Sequence, residues 1–228
     1  MEPPQFLPPQ ASGAKLHPGA IQDLGLSMSY SDVWNLQKKL VEERIAGKIC
    51  DTILLVEHNH VLTLGRSSHV ENILLKDLPV FEIERGGDVT YHGPGQLVAY
   101  PIISLQELGL GVRQYVELLE SVIVETLASV GIHARGQLGK LTGVWVDGSR
   151  KIASIGVATS HWVTYHGFAL NVNTDLSYFE KINPCGFSSS IMTSVERELR
   201  KPCDMEKIKR ETISAFSKHF GFQFQRED

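Results

Sequence analysis

No apolar stretch in this chain approaches the roughly 18 residues needed to cross a bilayer, so a helical membrane span is excluded. There is no long basic run, and a formal charge of −4 gives no surplus of lysine and arginine, so nucleic acid is not an expected partner. Cysteine is scarce. Cys50, Cys185 and Cys203 are odd in number and form no C-x-x-C pair, which argues against a disulfide framework or structural zinc and fits a reducing compartment with free thiols. The first 19 residues carry five prolines and one basic residue, Lys15, with neither the apolar core of a secretory signal nor an arginine-rich transit pattern. They read as a flexible or surface-draped N-terminal extension, and a cytoplasmic home is expected, with an organellar one after presequence removal as the alternative.

What is present suits a soluble globular protein: 42% hydrophobic and 21% charged residues over 228 positions, ample for one substantial core. No internal repeat or linker interrupts residues 20–228, which read as a single domain. Apolar residues Val33, Leu36, Leu40 and Val41 recur at helical spacing over 31–46, and Gly47 ends the run. Residues 51–57 form a strand apolar enough to be buried on both faces. His58 and His60 make an H-x-H at the following turn. With no third ligand in sight, they are read as loop residues and no metal is expected. A helix over 112–130 carries the stripe Val116, Leu119, Ile123, Leu127, and a last helix spans 204–220.

Between them, 143–147 and 151–158 form a hairpin about Gly148 and Ser149. Residues 164–173 alternate, with His166, Phe168, Leu170 and Val172 on one side and small residues, Gly167 and Ala169, on the other. The pattern predicts an α+β fold with a mixed, antiparallel-rich sheet and helices grouped against it.

The chemistry concentrates in three places. Residues 85–96 read R-G-G-D-V-T-Y-H-G-P-G-Q between two strands, with four glycines among a cation, a carboxylate, two hydroxyls and an imidazole. This stretch lacks G-x-x-x-x-G-K-[ST] and is no Walker loop. Nor does it give G-x-G-x-x-G between strand and helix, so a dinucleotide fold is not expected. Glycines at a strand end let backbone approach a ligand, so the stretch reads as a substrate-lining loop. A lysine at a strand edge is most often simply solvated, but Lys151 opens a strand whose continuation, Ser154, Ile155 and Gly156, is small enough to border a pocket, where an ammonium would stabilise an anion. Cys185 sits between Pro184 and Gly186 in a turn, the place either of a small buried hydrophobe or of a presented nucleophile, while Cys50 and Cys203 lack such a setting and read as structural. Spacing alone leaves open whether Lys151 and Cys185 meet.

The motif at 85–96 resembles the defining motif of lipoyl(octanoyl) transferases. The resemblance continues in order through L-T-L-G-R at 62–66, G-V-W-V at 143–146, K-I-A-S-I-G-V at 151–157, H-G-F-A-L-N-V at 166–172 and I-N-P-C-G at 182–186, covering about residues 21–220. One departure is Glu57-His58-Asn59-His60 where the family often has E-H-P-P. The resemblance implies the fold of biotin and lipoate protein ligase catalytic domains, and a catalytic dyad of Cys185 and Lys151. It also implies substrate contacts from Arg85, Gly86, Gly87, Asp88, Val89, Thr90, Tyr91, His92, Ser154, Ile155, Gly156, Gly167, Phe168 and Ala169.

The implied reaction is ping-pong transfer of an octanoyl (or lipoyl) group from acyl carrier protein, through a cysteine thioester, to a lysine of lipoyl domains. The acceptors implied are the E2 subunits of 2-oxoacid dehydrogenases and the glycine cleavage H protein. No cofactor is implied, because the phosphopantetheine thioester is already activated, and a monomer is expected. Gly156, Gly167 and Ala169 are expected to keep the acyl tunnel open. Three rivals stand beside this reading. They are an ATP-dependent lipoate–protein ligase on the same fold, a cysteine acyl-thioesterase using His92 or His166, and a non-catalytic binder of lipoyl domains.

Overall fold

The computed structural model describes residues 16–68, 70–74, 77–139, 142–182 and 191–224. Its centre is β2 (Asp51–Val56) paired antiparallel with β6 (Gln96–Ile102). Both strands are buried throughout, as the run of apolar residues at 51–57 predicts. Strand alternation sends Ile53, Leu55, Leu97 and Ala99 to one face, and Leu54, Val56, Val98, Tyr100 and Ile102 to the other. On the first face lie α3 (Val112–Ala128) and α5 (Met205–Phe220), and the short helices α2 (Leu105–Leu108) and α4 (Val195–Leu199) add Leu105 and Val195 to the same core. On the second lies α1 (Tyr30–Ile45), through Val33, Leu40 and Val41.

The sheet extends from that pair in both directions. On one side stand β1 (His17–Asp23) and β11 (Phe222–Phe224), parallel to one another, with β1 also parallel to β2. On the other side β10 (Val163–Asn171), β9 (Arg150–Ser160), β8 (Gly143–Val146) and β7 (Ala134–Gln137) follow, all antiparallel. The order is β11-β1-β2-β6-β10-β9-β8-β7, so the expected mixed, antiparallel-rich sheet with helices is found. His17, Pro18 and Gly19, within the stretch read as an extension, are the start of β1. A second sheet of β4 (Val80–Glu82), β3 (Val61–Leu64) and β5 (Thr90–His92) carries the 85–96 loop and has its own core around Leu62, Tyr91 and Phe179.

One strand departs from the expected alternation. Phe168 and Leu170 of β10, and Val172 just after it, do face α3 and α5, but His166 turns to the α1 side, beside Tyr100 and Gln37. Its φ of +57° is the cause: a residue in the left-handed region reverses the side to which its Cβ points. Few residues other than glycine adopt this conformation, at a cost of about 1 kcal/mol or more.

Candidate active site

The main cavity, about 380 Å³, lies where the two sheets meet. One wall is the 85–92 segment. It is pinned to the large sheet by the Gly86 N–H, which donates to Val157 O at 3.0 Å. The approach is so close that a β-carbon on Gly156 would sit 2.9 Å from both Arg85 Cδ and Gly86 O. The opposite wall is β9 and β10.

Of the residues expected to contact substrate, Arg85, Gly86, Gly87, Asp88, Val89, Thr90, His92, Ser154, Ile155, Gly156, Gly167, Phe168 and Ala169 all border this cavity. Tyr91 does not. It is flanked in β5 by Thr90 and His92, so alternation turns it into the core of the small sheet, where its hydroxyl meets His60 Nδ1 at 2.8 Å. The two glycines also have a different task from holding a tunnel open. A β-carbon on Gly167 would run into the Ala99 carbonyl oxygen, so Gly156 and Gly167 let chain segments approach one another.

Arg85 is buried, and its guanidinium donates to Thr63 O at 2.8 Å, Thr63 Oγ1 at 2.9 Å and Gly86 O at 3.0 Å. It therefore acts chiefly as an internal brace for the loop. Behind it are Tyr30, His58, His92, Tyr100 and His166, all nearly without solvent. Burial pushes His92 down to about 3, aided by neighbouring His58, and pushes His58 down to about 4. His166 falls to about 4, again chiefly by burial, with Glu84 opposing and Arg85 assisting. All three are neutral at pH 7, and burial raises the hydroxyl pKa values of Tyr30 and Tyr100. The tautomer of His58 follows. Its Nδ1–H donates to Met28 O at 3.2 Å, leaving Nε2 to accept from the Tyr100 hydroxyl at 2.8 Å.

Lys151 also borders the cavity, on β9, half-buried, with its ammonium 5.7 Å from the centre of the Trp145 ring. Its carbonyl accepts from Thr193 N–H at 2.9 Å, and Met192 pairs with it as an isolated bridge. Cys185 lies outside the described residues. Ile182, before it, pairs with Ile73, and Ile191 and Met192, after it, border the cavity.

A run of buried amides, invisible in the motifs taken singly, links the two walls. His92 Nδ1–H donates to Gln96 Oε1 at 2.8 Å, Gln96 Nε2 donates to Asn171 Oδ1 at 2.9 Å, and Asn171 Nδ2 donates to Thr193 O at 3.0 Å. Cys50 and Cys203 are partly buried free thiols, and burial raises the Cys203 pKa. Among the described residues no group of three or more potential ligands is arranged to hold a metal.

The model of the lipoyl protein ligase A/B catalytic domain covers residues 29–217, and the chain belongs to that family. A curated octanoyltransferase of Bacteroides thetaiotaomicron is 48% identical over 79% of this chain and 86% of its own length. One of Solibacter usitatus is 46% identical over 88% and 90%. One of Porphyromonas gingivalis is 43% identical over 93% of this chain, which spans only 46% of that longer protein. Among solved structures, a putative lipoate protein ligase of T. acidophilum with bound lipoic acid superposes with a TM-score of 0.71 at 15% identity, covering 92% of this chain and 89% of its own. Biotin protein ligase from Aquifex aeolicus gives 0.52 at 12% identity, covering 91% and 70%. At such identities the structural likeness shows the fold, which is the one the motifs imply.

Proposed function

We propose that this chain is an octanoyltransferase of protein lipoylation, taking its acyl group from acyl carrier protein through a thioester on Cys185. Kinship with relatives of that name at 43–48% identity supports the acyl-transfer class. The observation that carries the choice of residues is the anchoring around Lys151. It borders the cavity, and its own carbonyl holds Thr193, shortly after Cys185 in the chain.

In the first half-reaction the Cys185 thiolate attacks the octanoyl thioester carbonyl. The C–S bond to phosphopantetheine breaks, and the departing thiolate takes a proton from Lys151. In the second, the ε-amine of a lipoyl-domain lysine attacks the acyl-enzyme, a C–N bond forms, and the Cys185 thiolate leaves. Lys151 accepts the proton that the amine sheds. The ammonium also favours the thiolate over the thiol. Burying the acyl chain contributes about 0.8 kcal/mol per CH₂. The incoming thioester supplies the activation, so neither ATP nor a cofactor is required. The acceptors are lipoyl domains of E2 subunits and the glycine cleavage H protein, met by a monomer in the cytoplasm.

Intact mass after mixing with octanoyl carrier protein tests this directly. An octanoyl adduct is expected on the wild type and on Cys50→Ala and Cys203→Ala, and none on Cys185→Ala. An adduct on Cys185→Ala removes the nucleophile assignment. Strict dependence of product on ATP and free octanoate makes the chain a ligase instead.

A further inference from the structure

Glu198 has no part in the mechanism above, yet its carboxylate joins the strand of Lys151 to the chain that follows Cys185. It stands on α4, with its side chain 14% exposed. Oε1 accepts from Arg150 Nε at 2.8 Å and from the Thr193 hydroxyl at 2.6 Å, while Oε2 accepts from Arg150 Nη2 at 3.0 Å. Arg150 is the residue before Lys151 in β9, and Thr193 follows Cys185 by a short stretch of chain. A carboxylate gripping a guanidinium with both oxygens is a strong and directional joint. The Arg150 bonds hold the Glu198 carboxyl below its ordinary range, so it is ionised at pH 7. Its other charged neighbours are Arg197, which donates to Met192 O at 3.5 Å, and, across Arg150, the exposed Asp147.

Thr193 is wholly buried, and a different element engages each of its polar groups. Lys151 O of β9 accepts its N–H at 2.9 Å, Asn171 of β10 donates to its carbonyl at 3.0 Å, and Glu198 of α4 takes the hydroxyl. The joint lies behind the cavity. Successive strand residues point to opposite faces, so Arg150 shares a side with Ile152, in the core of α3 and α5, while Lys151 borders the cavity. Neither Glu198 nor Thr193 is among the described residues that border the cavity. Any effect of theirs on the chemistry therefore passes through Lys151 and the chain tied to it.

We propose that Glu198 is a positioning residue for acyl transfer: through Arg150 and Thr193 it fixes Lys151 against the chain that carries the nucleophile. The inference rests on the acyl-transfer reading, and the experiment separates the two.

Thr193→Val replaces the hydroxyl with a methyl of the same shape and changes no charge. Octanoyl transfer from carrier protein to a lipoyl domain is followed across a range of pH, with thermal melts alongside. In Thr193→Val kcat is expected to fall about tenfold or more, the effect of a misplaced catalytic group, with KM for the carrier thioester unchanged. The pH optimum should move upwards, because an ammonium displaced from the thiol favours the thiolate less. Thr193→Ser returns the hydroxyl and should recover most of both. Glu198→Gln keeps an acceptor for Thr193 but loosens the grip on Arg150, and should fall between. A Thr193→Val or Glu198→Gln protein that folds and keeps wild-type kcat at every pH overturns the inference alone. So does a fall in kcat that leaves the pH optimum in place or is not relieved by serine, since lost stability by itself would produce it. If Thr193→Val does not fold, Glu198→Gln decides by the same readouts. If neither folds, the joint serves the domain rather than the site, and the inference falls. A wild type that transfers no octanoyl group sinks the acyl-transfer reading and this inference with it.

Discussion

The two ends of the cavity are built on opposite principles. At one end the half-buried Lys151 stands beside the Trp145 ring and is held by the Met192–Thr193 segment. At the other, three histidines and two tyrosines are drawn from α1, the turn after β2, β5, β6 and β10, and burial keeps the three imidazoles neutral at pH 7 while raising the tyrosine hydroxyls further above their ordinary range. Proton transfer needs a group able to hold and release a proton. Polar groups held away from water are least costly when they stay neutral.

Removing the charge at the first end gives the largest expected effect. Lys151→Ala should lower kcat/KM for transfer by about 100-fold or more, the range of a lost proton carrier. The thermal midpoint should change little, because the side chain is half-buried. A shift of the pH optimum upwards would mean that stabilising the Cys185 thiolate is the main role. Unchanged kinetics at every pH would remove Lys151 from the reaction.

Acid attacks the other end. Folded pKa values of His58, His92 and His166 lie below the unfolded value of about 6.5, so the unfolded chain binds more protons as pH falls through the window from 6.5 to 3–4. Their contribution is present above pH 6.5 and is lost on acidification, at about 2 kcal/mol apiece by pH 5. Glu120 works in the opposite sense. Burial raises it to about 7, so its contribution is full below its ordinary value and is lost as pH rises towards 7. Going from pH 7 to 5 it offsets roughly one histidine, leaving a net loss of a few kcal/mol. Urea melts at the two pH values measure it, and His58→Gln should shrink the difference. A midpoint that rises on acidification would mean the histidines are not held neutral.

Gln96 tests whether the ends are coupled, since its amide lies between His92 and the Asn171–Thr193 link to Lys151. Gln96→Leu leaves His92 Nδ1 and Asn171 Oδ1 unpaired in the interior and should cost about 2 kcal/mol in denaturant unfolding. If the run of amides also sets Lys151, kcat falls with stability. Lost stability with intact kcat would make the two ends independent.

Legibility divides along the same line. The Lys151 end could be read because the motifs that carry it are contiguous, and because β2, β6 and the three long helices follow clean periodicities. The histidine end could not. Alternation put His166 with Phe168, and only a left-handed residue inside a strand, which no local pattern announces, moves it across the sheet. Tyr91 was lost to the same rule working correctly, since neighbours in β5 cannot share a face. The two outermost strands on the β2 side also escaped. β1 is mostly solvent-facing and β11 has three residues, so neither shows the buried alternation that marks a strand.

The smallest expected effect on stability is the most selective probe of the loop. A β-carbon on Gly86 would meet only Val157 O, at 3.8 Å, an ordinary contact, unlike the collisions at Gly156 and Gly167. Gly86 does not require a left-handed backbone either, so Gly86→Ala should alter unfolding free energy by no more than about 0.5 kcal/mol, possible gains coming from a stiffer unfolded chain. Gly167→Ala should cost far more. Gly86 nevertheless borders the cavity, and the added methyl is exposed to whatever enters it. A rise in KM for the carrier thioester with unchanged melting would therefore report contact between loop and substrate, free of any folding defect. Unchanged KM would confine the loop to bracing the site through Arg85 and His92.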